Sequence, residues 1–375
     1  MNQSPDLARE ALIREMDISM TIKALSLKIM AGGRLSPEEG LQLYQQGPTG
    51  LLGMLADTIR IRKNGNKAYF IRNHHIEPTN ICINKCLFCS FSHHFSPERW
   101  ELSIEEILTT VGTLDDSIRE LHITGAVHPD RDLYYYGDLL KKIKVLRPTL
   151  AVKAYSAVEL DQMIRKAGLS YSEGITYLKS CGLDSIPGGG AEIFDETLRK
   201  VICGMKTTST AWLEIHETAH RAGISSNATM LYGHLETPAH RIDHLDRLRT
   251  LQDRTLGFNA FIPLKFRNSN NKLSDLQETS PVDDMKLYAI SRIYLDNFPH
   301  IKAYWPAIGK QLAGISLSFG VDDLDGTIND STRIYSLAGA EDQNPVMTVS
   351  EMQDLITSAN RIPVERDAWY NPLGS

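Results

Sequence analysis

Three cysteines, Cys82, Cys86 and Cys89, stand within the eight residues "CINKCLFC". The chain has five cysteines in all, and Cys181 and Cys203 each stand alone. Thiolates are soft donors, so three of them in a C-x3-C-x2-C loop read as ligands of one metal centre. One candidate is zinc, with His93 or His94 as the fourth ligand. Such sites usually pair two C-x2-C knuckles, and no second knuckle is present. The other is a [4Fe–4S] cluster, in which three thiolates hold three irons and the fourth iron stays open to a small molecule. Three buried cysteines without metal fit poorly, because Asn80, Asn84 and Lys85 make the loop polar. The ligand logic favours the cluster.

A loop of this kind needs a scaffold. Residues 1 to about 66 read as helical: one helix stops near Gly32-Gly33, and Ser36-Pro37-Glu38-Glu39 starts another with a serine cap and acids in the first turn. From Lys67 the pattern changes. Eight β-prone runs, from "AYFIRNHHIEPTN" to "GISLSFGVDDLDG", alternate with amphipathic stretches such as "YYGDLLKKIKVLRP". Alternating β and α predicts a parallel sheet covered by helices, and eight units predict an α/β fold of the (β/α)8 TIM-type. An open six-strand barrel with two further units outside it is the alternative. The chain divides into an N-terminal helical segment (1–66), a barrel (67–330) and a C-terminal extension packed on it (331–375). In the extension, Thr348 and Glu351 form a capping box.

Active sites in such barrels lie at the C-terminal ends of the strands. The residues that fall there are Cys82, His128, Glu159, Gly188 to Glu192, His234 and the acidic group Asp322, Asp323 and Asp325. Each has a plainer reading. Glu159 can cap the helix that starts beside it, the three aspartates can be a strand-end turn, and Tyr134 to Tyr136 can be helix packing. Gly188 to Glu192 lacks the spacing of a phosphate loop and reads as a tight turn lining the cavity. His74, His75, His93 and His94 read as polar loop residues, one of which can tune a metal centre by hydrogen bonding.

Composition narrows the function. The net charge of -6 and the lack of a basic stripe argue against nucleic-acid binding. The first residues carry charges throughout and no apolar core, so no secretory signal is read there. No run approaches the roughly 18 uncharged apolar residues of a membrane span. Clustered, odd-numbered cysteines suit a reducing, cytoplasmic setting.

"CINKCLFC", with Phe88 before the third cysteine and a βα barrel after it, resembles the CxxxCxxC signature of the radical S-adenosylmethionine (SAM) superfamily. "HIEPTNICINKCLFCSFS", "SIPGGGAEIF", "SNATMLYGHLET", "FNAFIPL", "LDNFPHIKAYW" and "SFGVDDLDGT" further resemble the aminofutalosine synthase family of the futalosine route to menaquinone. The dehypoxanthine futalosine cyclases and F0-type synthases are its sisters. "LDNFPHIKAYW" points to the first group.

The resemblance implies a [4Fe–4S] cluster on Cys82, Cys86 and Cys89, with SAM as co-substrate on the open iron. It implies SAM contacts from Phe88, from Thr124 and Gly125 (where the superfamily has a glycine pair), from Glu159, from Gly233 and Glu236, and from the strand-six edge at Ile262. The implied small-molecule substrate is an enolpyruvyl benzoate, 3-[(1-carboxyvinyl)oxy]benzoate, and the electron donor is a flavodoxin or ferredoxin. The substrate has two carboxylates, so cationic or donating groups are expected near it. Strand-end position nominates His128 and His234, with Arg292 as a third. Alternatively, the two histidines hydrogen-bond within the barrel rim and Arg292 pairs with a neighbour. Two other functions stay open: a sister enzyme that abstracts hydrogen, and a zinc-stabilised protein without catalysis.

Overall fold

The computed structural model describes residues 5–373 except 97, 329–332 and 344. Four helices come first: Pro5–Glu15, Met20–Met30, Pro37–Gln46 and Thr49–Asn64. The second ends just before Gly32, at φ 79°. The third starts at a capping box, in which Ser36 takes the Glu39 N–H and Glu39 takes the Ser36 N–H. The fourth packs on the helix Pro281–Tyr294.

Ten strands follow: β1 (Lys67–Ile71), β2 (Asn73–Ile76), β3 (Glu120–Ile123), β4 (Ala151–Ala154), β5 (Ser185–Ile186), β6 (Ser225–Tyr232), β7 (Phe258–Lys265), β8 (His300–Ile301), β9 (Asp323–Gly326) and β10 (Ile362–Glu365). Every pairing between them is parallel. One sheet runs β2-β3-β4-β5-β6-β7-β8, and the other runs β10-β1-β9. Only Arg72 separates β1 from β2, so they are two halves of one crossing. A bridge between Lys302 and Asp323 ties β8 to β9. Tyr69 N–H donates to Asp322 O, and Thr327 N–H donates to Ile71 O, which ties β9 back to β1. The strands thus curl into a TIM-type barrel whose closure is thin at β8 and β9. The alternative with two units outside an open barrel does not occur.

Helices alternate with the strands and face the core with apolar stripes. In Pro238–Thr255, Leu245, Leu248 and Leu251 are fully buried, each contributing about 1.5–3 kcal/mol of burial energy. Three strands are shorter than the β-prone runs in the sequence. β5 stops at Pro187, which has no N–H to donate. β8 gives way to a one-turn helix, Trp305–Ile308, with Pro306 in its first turn. Residues Lys310–Ser316 are helical, and Gly320 at φ 91° redirects the chain before β9. The final segment adds the short helix Ile334–Leu337, the helix Val349–Ser358 capped by Thr348 and Glu351, and β10 on the edge of β1. Among the described residues no helix is long and apolar enough to cross a membrane.

Candidate active site

The cysteine loop leaves β2 at its C-terminal end and is tied down from several sides. Ile83 N–H donates to Val127 O at 3.0 Å, Leu87 N–H to Ile202 O at 2.8 Å, and His93 N–H to Asn80 O at 2.9 Å. All five cysteines are free thiols. Cys82, Cys86 and Cys89 line one cavity of about 290 Å³. Among the described residues no His, Cys, Asp or Glu group converges on a single ion position. A cluster, with its own iron for each thiolate, asks for thiols around a hollow instead. The imidazoles that a zinc site needs are already engaged. His93 Nδ1 accepts the Cys82 N–H at 3.1 Å, and His94 Nε2 lies 2.9 Å from Cys82 O. Both brace the loop backbone.

Burial pushes the Cys86 and Cys89 thiols up, and the nearby Lys206 ammonium opposes that rise. Lys206 donates to Glu192 Oε1 at 2.6 Å, and its Nζ lies 5.2 Å from the centre of the Phe88 ring. Burial alone lowers the Lys206 pKa, but Cys86, Glu192 and Cys203 outweigh it and hold the ammonium well above its usual value. Asn84 is buried beside the thiols, and its Oδ1 has no partner among the described residues. The turn from Gly188 to Glu192 passes flat against β6: a Cβ on Gly188 would meet Asn227 O and the Ala228 backbone at 2.8 Å. Glu192 itself sits at φ 48°. On the other wall, a Cβ on Gly125 would meet Thr79 O at 3.0 Å.

Residues 76–248 match the family described as the Radical SAM superfamily, and residues 255–374 match the CofH/MqnC C-terminal region. The chain belongs to the radical SAM superfamily. It is 45% identical, over 92% of this chain and 94% of the relative, to the aminodeoxyfutalosine synthase of Thermus thermophilus. It is 37% identical to the cyclic dehypoxanthine futalosine synthase of Streptomyces coelicolor, over 92% and 86%. It is 35% identical to the 5-amino-6-(D-ribitylamino)uracil–L-tyrosine 4-hydroxyphenyl transferase of Methanothermobacter thermautotrophicus, over 94% and 99%. The crystal structure of a methylornithine synthase shares the fold, with a TM-score of 0.72 at 16% identity over 90% of this chain and 97% of that one.

A radical SAM enzyme works with an iron–sulfur cluster and SAM, and the thiol end of this cavity suits both. It offers three free thiols, an ammonium, a carboxylate and an orphaned amide oxygen around one hollow. Phe88, Thr124, Gly125 and Ile262 line the same hollow.

Six other residues nominated from the sequence sit elsewhere, each for a local reason. Glu159 stands behind the wall: its Oε2 takes the Ser156 N–H and Oγ–H, both at 2.7 Å, and caps the helix Ala157–Lys166. Burial pushes that carboxyl up to about 7 despite the Ser156 and Thr124 bonds. Glu236 takes the Gly233 N–H at 2.6 Å and pairs with Arg241 at 2.5 Å, so the turn that follows β6 is knitted to itself. Arg241 carries the link on to Tyr44 at 2.5 Å, in the N-terminal helices. His234 lies against Glu236, with Nε2 3.2 Å from Leu231 O. His128 Nδ1 accepts the N–H groups of Asp130 and Arg131, and its Nε2 faces Glu101 at 3.2 Å. Arg292 is fully buried against Asp322 and Gly320 O. His128, His234 and Arg292 therefore hold the barrel rim and its base, not the cavity wall.

Asp322, Asp323 and Asp325 are spent on separate cations, Arg292, Arg366 and Lys302. Tyr136 packs on Tyr155 at 4.8 Å. The structure also adds residues that the sequence did not single out. Lys206 and Arg267 face the cavity, as do Lys153 and Lys265 from the strands and Lys302 directly after β8. Tyr335, in the C-terminal segment, closes part of its wall.

Proposed function

We propose that this chain joins SAM to 3-[(1-carboxyvinyl)oxy]benzoate and, with one water taken up as the carboxylate leaves, yields 6-amino-6-deoxyfutalosine, methionine and bicarbonate, a step of menaquinone biosynthesis. One observation carries this reading: 45% identity to an aminodeoxyfutalosine synthase along nearly the whole of both chains. The charge of the cavity agrees with it. The wall presents five cations, Lys153, Lys206, Lys265, Arg267 and Lys302, against three acids, Glu77, Glu192 and Asp325. Such a wall suits a dianion beside a zwitterion.

In this reading Cys82, Cys86 and Cys89 hold a [4Fe–4S] cluster with one iron left open. When bound, the cluster supplies the electron that splits SAM into methionine and an adenosyl radical. The chain's own residues bind and exclude. Lys206 meets the methionine carboxylate, and Glu192 meets the amino or ribose groups beside it. Phe88 and Ile262 pack on the nucleoside. Gly125 and the Gly188 to Gly190 turn let backbone approach it without a Cβ. Apolar walls such as Leu231, Leu264 and Phe266 keep water and stray hydrogen donors from the radical carbon while the alkene is held against it. The enzyme works in the cytoplasm, where a flavodoxin or ferredoxin supplies electrons. Residues 1–66, 67–330 and 331–375 act as a helical buttress, the barrel and a covering extension.

A second reading draws on the relatives at 37% and 35% identity, whose names are those of sister reactions. Anaerobic incubation with SAM, dithionite and the enolpyruvyl benzoate separates the two. Formation of the adenosylated product supports the synthase. Its absence, with cluster and SAM binding intact, overturns it.

A further inference from the structure

The cavity has a second polar group, within the strands and below the thiol loop. His75, His122 and Lys153 are register partners across β2, β3 and β4. One level of the barrel interior thus carries three ionisable side chains from adjacent strands. All three line the cavity, together with Lys302, which directly follows β8, and Asp325 of β9. Barrel interiors are ordinarily filled at this level by branched apolar side chains. Replacing them with polar groups costs stability, so the departure marks a site.

The hydrogen bonds show what the level offers. Lys153 Nζ donates to Glu120 Oε1 at 2.5 Å, and Lys302 Nζ donates to Asp325 Oδ1 at 2.6 Å. Glu120 is 1% exposed and absent from the cavity lining; two residues before His122 on β3, it shares that residue's inward face one step deeper, so Lys153 stands between it and the cavity. Asn73 Oδ1 accepts the Ile328 N–H at 2.9 Å, which turns the amide nitrogen towards His75 Nε2 at 3.3 Å. With Nε2 thereby assigned as acceptor, the His75 proton rests on Nδ1. The His75 and His122 rings meet edge to face at 4.5 Å. His122 Nε2 is buried, with no partner among the described residues. Burial pushes both imidazoles down, His75 to about 4, so each stays neutral at neutral pH. Each ammonium gives one of its three N–H donors to its carboxylate and keeps others, and with the His122 proton on the unpaired Nε2 the level offers donors that suit an anion with lone pairs to share. They do not suit a second cation.

We propose that His122, Lys153 and Lys302 form the seat of a substrate carboxylate, one level below the thiols. The inference rests on the reaction proposed above, since it assigns that seat to one of the two carboxylates of the enolpyruvyl benzoate. It also explains why Lys153 is held buried although desolvation lowers its pKa. A carboxylate arriving beside it restores a charge partner on the open side.

The test uses the full chain with its cluster reconstituted. The substrates are the dicarboxylate and two analogues, each with one carboxylate replaced by a carboxamide. Lys153→Met strands the Glu120 carboxylate, so it is made together with Glu120→Gln. His122→Phe breaks no ion pair and is the second variant. Iron content, SAM binding and equilibrium binding of the dicarboxylate without reductant are measured beside turnover. Both variants are expected to keep iron and SAM affinity. They should weaken binding of the dicarboxylate by about 10- to 100-fold, the loss of a charge-assisted hydrogen bond. The wild type should prefer carboxylate to carboxamide at one of the two positions, and that preference should vanish in the variants. If both variants discriminate between the analogues as the wild type does, the inference falls while the reaction stands. If the wild type makes no adenosylated product at all, the proposed reaction falls, and the seat with it.

Discussion

Lys206 Nζ lies 2.6 Å from Glu192 Oε1, and this pair joins the end of the glycine turn to the underside of the cysteine loop. The Lys206 side chain is half-buried, faces Cys86 and Cys89 electrostatically, and stands over the Phe88 ring. Among the described residues no other cation of the cavity wall meets Cys86, Cys89 and Phe88 in this way.

Lys206→Met should therefore leave cluster assembly intact and weaken SAM. A charge-assisted hydrogen bond is worth about 1.5–3 kcal/mol, so the dissociation constant for SAM should rise by about 10- to 100-fold. Equilibrium binding of SAM to the oxidised protein, without reductant, measures this. Unchanged SAM affinity would remove Lys206 from the binding site.

Cys82→Ala, Cys86→Ala and Cys89→Ala should each abolish cluster assembly, while Cys181→Ala and Cys203→Ala retain it. The sequence separates Cys203 from the loop by more than a hundred residues. The fold brings it near enough to Cys86 for their charges to interact, yet it does not face the cavity. It is the sharper of the two controls. Iron and sulfide assays on reconstituted protein decide the point, and full cluster in Cys86→Ala would sink the ligand assignment.

Glu159 makes a pH prediction. Its folded pKa, about 7, lies above the ordinary carboxyl value of 4.5 because burial disfavours the charge. Between those two values the folded chain holds a proton that the unfolded chain has released. Stability linked to this group is therefore full below about pH 4.5, falls as pH rises, and is lost above about pH 7. Glutamine at the same position keeps the helix cap without the charge. Glu159→Gln should raise the melting temperature at pH 8 by a few degrees and change it little at pH 5. Thermal scans at the two pH values test this. An equal shift at both would show that the buried charge is not the cause.

The sequence disclosed chemistry that is local along the chain and hid chemistry that depends on register. The thiol loop, the alternating strands and the capping serines are each complete within a few residues, so pattern alone reveals them. Glu159 was legible both ways, since Ser156-x-x-Glu159 is a capping box as well as a strand-end acid, and the box is what forms. His128 and His234 do lie at strand ends, but turn N–H groups beside His128 and the Leu231 carbonyl beside His234 claim their rings first. Lys153 and Lys302 sit inside β-prone runs. Whether such a lysine faces the barrel interior or a helix depends on the parity of the strand, and a slip of one residue reverses it. Lys206 follows a helix and a turn, with no motif around it, and only the folded chain places it under the thiols.

The final prediction separates radical addition from hydrogen abstraction. An enzyme that adds the adenosyl radical to an alkene retains the nucleoside in its product, whereas one that abstracts hydrogen releases 5′-deoxyadenosine. The wild type should thus consume one SAM per product, release methionine in equal amount, and leave free 5′-deoxyadenosine as a minor side product. The coupling depends on position: misplacing the radical carbon by about 1 Å can cost on the order of 100-fold. Phe88 is the residue to perturb, because its ring lines the cavity next to the thiols and supports the Lys206 ammonium. Phe88→Ala opens space at the proposed nucleoside site and loosens Lys206 at once. It should slow coupling and raise the ratio of 5′-deoxyadenosine to coupled product by about tenfold, a fraction of the positional penalty above. Chromatography with mass spectrometry quantifies both nucleosides in one reaction. Stoichiometric 5′-deoxyadenosine from the wild type, with no adenosyl carbon in the product, would place the chain among the hydrogen-abstracting sisters. An unchanged ratio in Phe88→Ala would show that the ring has no part in holding the radical.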